Sequence, residues 1–342
     1  MKKQTIHFII NPISGTTRKS RIPRLIEDTI DTGRYEYVIT ETTYAGQAAE
    51  IAGKARDDRV DIVVAVGGDG TVNEVARSIR DSETTLGIIP CGSGNGLARH
   101  LMLPLNAKRA LQIINRCEIH HLDYGIINNN PFFCTCGMGF DAFISHKFAE
   151  AGRRGLATYV EQVLKEGLKY KPEHYVIEHA DGSITECEAV LISCANASQY
   201  GNNAYIAPQA SMRDGLLDVI IMEPFDLIEA PQILLEMMNK TIDKSPMIKT
   251  FRANAITIRR RSAGYIHYDG DPVMSDADVS IRLVSHGIKT IVNPGANKAR
   301  RRPNALQLAF SDIFNDVSEL REEITRQAGE LNKTLQQRIN RL

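Results

Sequence analysis

Residues 61–74 read Asp-Ile-Val-Val-Ala-Val-Gly-Gly-Asp-Gly-Thr-Val-Asn-Glu. The apolar, β-branched run predicts a buried strand. Thr71 to Ile79 reads as a helix, so Gly67, Gly68, Asp69 and Gly70 form a sharp turn between a strand end and a helix start. Glycine in such a turn is expected to adopt positive φ and to let a ligand approach the backbone closely. Helix-start amides carry partial positive charge and suit a phosphate. Asp69 would then sit where a phosphate sits. Two anions side by side call for a divalent cation between them, or for a hydroxyl to be steered there. A plain structural turn is the competing reading, and Thr71-x-x-Glu74 fits a capping box.

Two more turns of this kind follow predicted strands. Ile6–Ile10 runs into Asn11-Pro12-Ile13-Ser14-Gly15-Thr16, and Leu86–Ile89 runs into Pro90-Cys91-Gly92-Ser93-Gly94-Asn95-Gly96 before a helix at Leu97–Leu101. Ser14, Gly15 and Thr16 could offer amides and hydroxyls to phosphates; a surface turn with the solvated bases Arg18 and Lys19 is the alternative. A strand at Tyr35–Thr40 leads past Thr42 and Thr43 to Gly46 and a helix at Gln47–Arg56. Strands alternating with helices imply a parallel sheet covered on both faces. Ligands of such sheets bind beyond the carboxyl ends of the strands. The P-loop pattern is missing, Asn73 stands where a Gly-x-Gly-x-x-Gly fingerprint needs its third glycine, and Gly92-x-Gly94 runs on to Gly96. Protein-kinase signatures are absent as well.

Beyond His120 the texture changes to strands and Asp-Gly or Asn-rich turns: Ile126–Cys136, Tyr175–His179, Glu188–Ala195, Leu217–Met222, Ala255–Arg260 and Val279–Leu283. Helices are expected at Asp141–Ser145, Tyr159–Tyr170 and Ala230–Lys240. This predicts an antiparallel sandwich. Lys plus Arg and Asp plus Glu each number 41, which leaves no basic field for nucleic acid. The six cysteines are scattered, which suits reduced thiols and a cytoplasmic protein. No apolar run reaches the ~18 residues of a membrane span, so any membrane contact is peripheral.

Asn11-Pro12-x-Ser14-Gly15, Gly67-Gly68-Asp69-Gly70-Thr71-x-Asn73-Glu74, Pro90-x-Gly92-Ser93-Gly94-Asn95 and Asp269-Gly270-Asp271 stand in this order. Together they resemble the diacylglycerol kinase catalytic-domain family, which includes bacterial lipid kinases, sphingosine kinases and ceramide kinases and is distantly similar to NAD kinases. The resemblance covers about residues 5–295. It implies an N-terminal doubly wound α/β nucleotide-binding domain (1–123), an antiparallel β-sandwich substrate domain (124–297) and a cleft between them. A helical tail (298–342) follows, with apolar residues at near-heptad spacing from Ile313 to Ile339 that suit self-association or lipid contact.

The implied activity is ATP- and Mg²⁺-dependent phosphorylation of a lipid hydroxyl. ATP would contact Asn11, Ser14, Gly15, Thr42, Gly67, Gly68, Asp69, Gly70, Thr71, Asn73 and Ser93, with Mg²⁺ bridging the phosphates to Asp69. Asp271 would be the catalytic base, although the family's usual residue there is Glu, one methylene longer. Asp269 would orient or coordinate. The carbonyls of Ser211 and Leu216 and the side chain of Asp214 match the family's structural magnesium site; a simple Asp-Gly turn is the alternative. Gly96 replaces an aspartate frequent in bacterial diacylglycerol kinases and is closer to the sphingosine-kinase form. A kinase of a soluble substrate such as NAD, and a non-catalytic nucleotide-binding membrane adaptor, are the competing functions.

Overall fold

A computed structural model describes residues 2–13, 19–150, 170–226 and 229–295. The tail from residue 298, Ser14, Gly15 and residues 159–169 of the helix expected at Tyr159–Tyr170 lie outside the described residues.

The first half alternates strand and helix: β1 (Gln4–Ile10), α1 (Ile22–Thr29), β2 (Tyr35–Glu41), α2 (Gln47–Asp57), β3 (Ile62–Gly67), α3 (Asp69–Ile79), β4 (Thr85–Pro90), α4 (Gly96–His100) and α5 (Ala107–Arg116). The four strands are parallel in the order β2-β1-β3-β4. Every residue of β3 and β4 is buried, as expected for central strands covered on both faces. α2 buries Ala48, Ala52 and Ala55, a small-residue stripe at helical spacing. α3 turns Val72, Val75, Ala76 and Ile79 into the same core. α5 was not expected from the sequence; Asn106 caps it by accepting from the Arg109 N–H at 3.1 Å, and it buries Ala110, Leu111, Ile113 and Ile114.

The second half is largely antiparallel: β5 (Ile119–Ile127), β6 (Asn130–Phe132), β7 (Thr135–Gly139), α6 (Phe140–Glu150), β8 (Glu173–His179), β9 (Ile184–Ala189), β10 (Leu191–Ala195), β11 (Gln199–Gly201) and β12 (Ala204–Tyr205). It continues with β13 (Leu217–Met222), a helix at Ala230–Asn239, β14 (Ile248–Ala253), β15 (Ala255–Arg260), β16 (Gly264–Tyr268), β17 (Asp271–Ser275) and β18 (Asp278–Ile291). One six-stranded sheet runs β14-β13-β10-β7-β16-β17. It packs on β8, β15 and β18 through Met138, Tyr175, Ile192, Val219, Ile258 and Ile281. The expected fold class, α/β followed by an antiparallel β domain, is the one observed.

Three sequence readings need correction here. Glu188–Ala195 is not one strand: the chain bends at Val190, so that β9 ends in one sheet and β10 begins in the other. Ile126–Cys136 is not one strand: Asn128 takes a left-handed φ of 52° and turns the chain between β5 and β6, and Phe133 and Cys134 bend before β7. Val279–Leu283 is only the start of the fourteen-residue β18. The amino half of β18 pairs with β15, β5 pairs along most of its length, and Thr290 meets Leu86 of β4 in parallel. A bulge between Val284 and Ile288 accommodates the change of neighbours, and a Cβ on Gly287 would fall 2.3 Å from the Tyr124 ring.

Candidate active site

The parallel strands end level with one another. Asn11 N–H donates to Val66 C=O, Thr42 N–H to Ile10 C=O, and Cys91 N–H to Gly67 C=O. Asn11, the buried Thr42, the Gly67–Thr71 turn and the Pro90–Gly96 turn therefore share one edge. Ser93 is exposed at the tip of the last of these.

Positive φ is not what the glycines supply: Gly67, Gly68, Gly70, Gly92 and Gly94 all lie outside the left-handed region, and Gly68 is extended at φ −93°, ψ −170°. Their role is room. A Cβ on Gly92 would stand 2.5 Å from the Gly68 Cα, one on Gly67 2.5 Å from Thr71 Oγ1, and one on Gly94 2.7 Å from Asp69 Oδ2. The left-handed residue is Asn95, whose side chain spans the turn with bonds to both the N–H and the C=O of Gly92. The capping box also fails. Gly68 is the N-cap of α3, and Glu74 instead accepts from Gly46 N–H, at the start of α2. Thr71 Oγ1 accepts from Asn11 Nδ2 at 3.1 Å, tying the first turn to the second.

Asp69 is the first residue of α3 and is half-buried. Its carboxylate accepts from Asn95 N–H at 2.8 Å and Gly96 N–H at 2.6 Å. Burial pushes the carboxyl above its ordinary range; the two amides and the Arg99 guanidinium pull the other way. Arg99 also donates to Gly94 C=O at 2.9 Å and Asn203 Oδ1 at 3.3 Å. The β11–β12 hairpin leans on the same turn: Asn202 N–H donates to Gly94 C=O, and a Cβ on Gly201 would lie 3.0 Å from the Gly94 Cα.

The Tyr268–Asp271 turn meets α3 from the other sheet. Asp269 and Gly270 are left-handed at φ 50° and 90°. Asp269 Oδ1 accepts from the N–H groups of Cys134 and Thr135, and Oδ2 from Phe133 N–H and Asn73 Nδ2, the last at 2.8 Å. Burial raises this carboxyl too, against those four donors. Asp271 opens β17, exposed, opposite Tyr268. Burial and then Asp271 push the Tyr268 phenol up, while Arg77 of α3 pulls it down; the Asn73–Asp269 bond is what joins the hairpin to α3. The Cys134 thiol is held well up by burial and by both Asp269 and Asp69.

Ser211, Asp214 and Leu216 lie on the segment before β13. Asp214 Oδ1 accepts from Leu216 N–H at 3.2 Å, and Oδ2 stands 3.6 Å from the Arg252 guanidinium. Arg252 also pairs with Asp218 at 3.1 Å, leaving Asp218 Oδ2 buried without a hydrogen-bond partner. Carbonyl and carboxylate oxygens with an unpartnered acceptor nearby fit a hard cation. Among the described residues no cluster of three or more His, Cys, Asp or Glu side chains is placed to hold a metal. A cation at Asp69 or Asp214 would therefore draw its remaining ligands from carbonyls, phosphates or water.

Sequence reasoning passed over Arg99, the hydrogen-bonding role of Asn95, and Asp123, which is fully buried and accepts from Gly215 and His286 N–H groups. It also passed over a buried cluster in which Asp141 accepts from Tyr200 Oη and pairs with His267. Asn95 stands inside a recognised glycine turn and Arg99 on α4 just after it, but their contacts to Asp69 and Asn203 come from distant elements.

A family model described as "Diacylglycerol kinase catalytic domain" matches residues 5–127, and one described as "YegS C-terminal NAD kinase beta sandwich-like domain" matches residues 134–281. The chain belongs to the diacylglycerol kinase catalytic-domain family. A diacylglycerol kinase of Bacillus subtilis (strain 168) is 28% identical over 279 residues, 79% of this chain and 90% of that protein. An uncharacterized Synechocystis protein is 29% identical over 259 residues; the match spans 72% of this chain but only 59% of the relative. A Bacillus anthracis diacylglycerol kinase crystal structure superposes with a TM-score of 0.66 at 20% identity, covering 86% of this chain and 99% of that one, which shows a shared fold. Family membership makes this a kinase-type phosphotransferase. Among the described residues no helix is long and apolar enough to cross a membrane.

Proposed function

We propose that this family member transfers the γ-phosphoryl of ATP to the hydroxyl of a lipid of the diacylglycerol or sphingoid-base class, with Mg²⁺. The observation that carries this is the meeting of a glycine-lined, helix-start cradle containing Asp69 with a second carboxylate, Asp271, on a hairpin bonded to the same helix. Asn11, Thr42, Thr71 and Ser93 surround that cradle, and the family motif adds Ser14 and Gly15.

Phosphoryl transfer needs positioning and charge neutralisation more than covalent chemistry. The amides at the start of α3 would face the phosphates, and the tight approach of Gly68 to Gly92 leaves backbone where side chains would otherwise stand. The Asp69 carboxylate keeps acceptor capacity beyond its two amide bonds, so it fits a cation. Bound there, Mg²⁺ would neutralise the charge of the transferring phosphate. Asp271 would accept the hydroxyl proton. A second Mg²⁺ held by Ser211 and Leu216 carbonyls and Asp214 would brace the segment leading into β13. Lipid access from a membrane surface implies peripheral contact, with the tail as one candidate for it and for self-association.

The test is transfer of radiolabel from ATP to a panel of lipids in mixed micelles, with NAD and water as controls. Label in one lipid that disappears in both Asp69→Asn and Asp271→Asn supports the proposal. Label in NAD alone, or phosphate released without acceptor, rejects it. ATP binding with no transfer at all would favour the adaptor.

A further inference from the structure

We propose that the hydrogen bond between Asn73 and Asp269 is the pin that sets Asp271 against Asp69, and that neither Asn73 nor Asp269 touches nucleotide, metal or lipid. The inference rests on the kinase reading above and changes the part played by two residues of its motifs.

Asn73 lies one helical turn after Asp69 on α3. Residues spaced i, i+4 share a helix face with Cβ atoms about 6 Å apart. Asn73 is only 4% exposed, and its amide nitrogen is directed at Asp269 Oδ2 at 2.8 Å. An amide on α3 that donates to a carboxylate of the β16–β17 turn has its strongest available acceptor already.

Asp269 has nothing left to offer a ligand. An ionised carboxylate has about four acceptor positions. Here four donors fill them: three consecutive backbone N–H groups, Phe133 to Thr135, and Asn73. A metal ion would have to displace one of them. Asp269 N–H in turn donates to Thr135 C=O at 2.8 Å, so backbone and side chain both grip the start of β7.

What this grip holds is a strained turn. Asp269 is left-handed at φ 50°, a conformation unusual outside glycine that persists where its surroundings impose it. Asp271 follows two residues later, and its backbone position is set by that turn. Asp271 is also shorter than the glutamate its motif leads one to expect, so placement of its Cα must supply reach that side-chain length does not. Positioning residues of this kind act on kcat through geometry, because small displacements of a reacting group are costly.

The experiment uses the full chain. Asn73→Ala, Asn73→Ser, Asp269→Asn and Asn73→Ala/Asp269→Asn are compared with wild type and with Asp271→Asn. Lipid-transfer kinetics, Mg·ATP dissociation constants from calorimetry and Tm are measured for each. Asn73→Ala is expected to lower kcat by about tenfold or more while the Mg·ATP constant stays within about twofold. Asn73→Ser, which restores a donor, recovers part of the loss. The double variant is no slower than the worse single variant, because both remove one contact.

A Mg·ATP constant that weakens in step with kcat in Asn73→Ala would make Asn73 a nucleotide ligand and overturn the proposal. Multiplying effects in the double variant would do the same. Should Asp269→Asn not fold, the Asn73→Ala and Asn73→Ser pair still decides. Wild-type transfer by Asp271→Asn would remove Asp271 as the base and this inference with it, whereas no lipid transfer by the wild type would sink the kinase reading beneath; an inactive Asp271→Asn beside a wild-type kcat in Asn73→Ala would sink this inference alone.

Discussion

Asp69 carries opposite demands. Its pKa is raised by burial above the ordinary 3.8, so the folded chain binds that proton more tightly than the unfolded chain does. Its contribution to stability is therefore full below the unfolded value and is lost as pH rises through the folded one. Cation binding requires the ionised form. Affinity for Mg·ATP is expected to fall on acidification, beginning above pH 3.8, the ordinary carboxylate value. Calorimetric titrations across pH check this, and in Asp69→Asn the acid limb should vanish together with the affinity. The glycines give a second contrast at the same scale. Gly92→Ala drives a Cβ to 2.5 Å from backbone and should cost about 1–3 kcal/mol. Gly70→Ala meets no atom within 4 Å and should hold stability or raise it by up to about 1 kcal/mol. Denaturant midpoints of the two variants decide.

Among the elements, β5 and β18 depend on one side chain. Asp123 of β5 accepts from His286 N–H at the β18 bulge and from Gly215 N–H ahead of β13. Its own N–H donates to Met212 C=O at 2.8 Å. Asp123→Ala leaves two inward N–H groups without their acceptor, each worth about 1–3 kcal/mol. We expect a loss of about 2–5 kcal/mol in urea unfolding, with Asp123→Asn recovering part of it. The loss should also loosen the Ser211–Leu216 segment, since Gly215 is anchored there. α4 and the β11–β12 hairpin form a comparable pair. Arg99 holds Gly94 and Asn203 together, so the turn that feeds two amides to Asp69 is supported from the other half of the chain.

At the level of the whole molecule, β18 gives one ten-stranded sheet shared by both halves. Unfolding is expected to be a single transition, with calorimetric and van't Hoff enthalpies equal; two separable transitions would show that the halves fold independently. The parallel strands, their helices and the two glycine turns after β3 and β4 at one sheet edge were legible in the sequence. Hydrophobic period and turn chemistry are local properties, and Ile62–Val66 followed by three glycines and an aspartate admits few other arrangements. α5, β14, β16 and β17 were not read, because their apolar faces acquire meaning only against neighbours far along the chain. The turn glycines were identified for a conformation they do not adopt; close approach of Gly68 to Gly92 is a fact of two turns together. The residue types at the site were thus fixed by sequence. Their partners were decided by the tertiary structure. Asp269 reaches Asn73 across 196 positions and Asp69 takes its amides from 26 and 27 positions on, and no local pattern encodes which N–H will face which carboxylate.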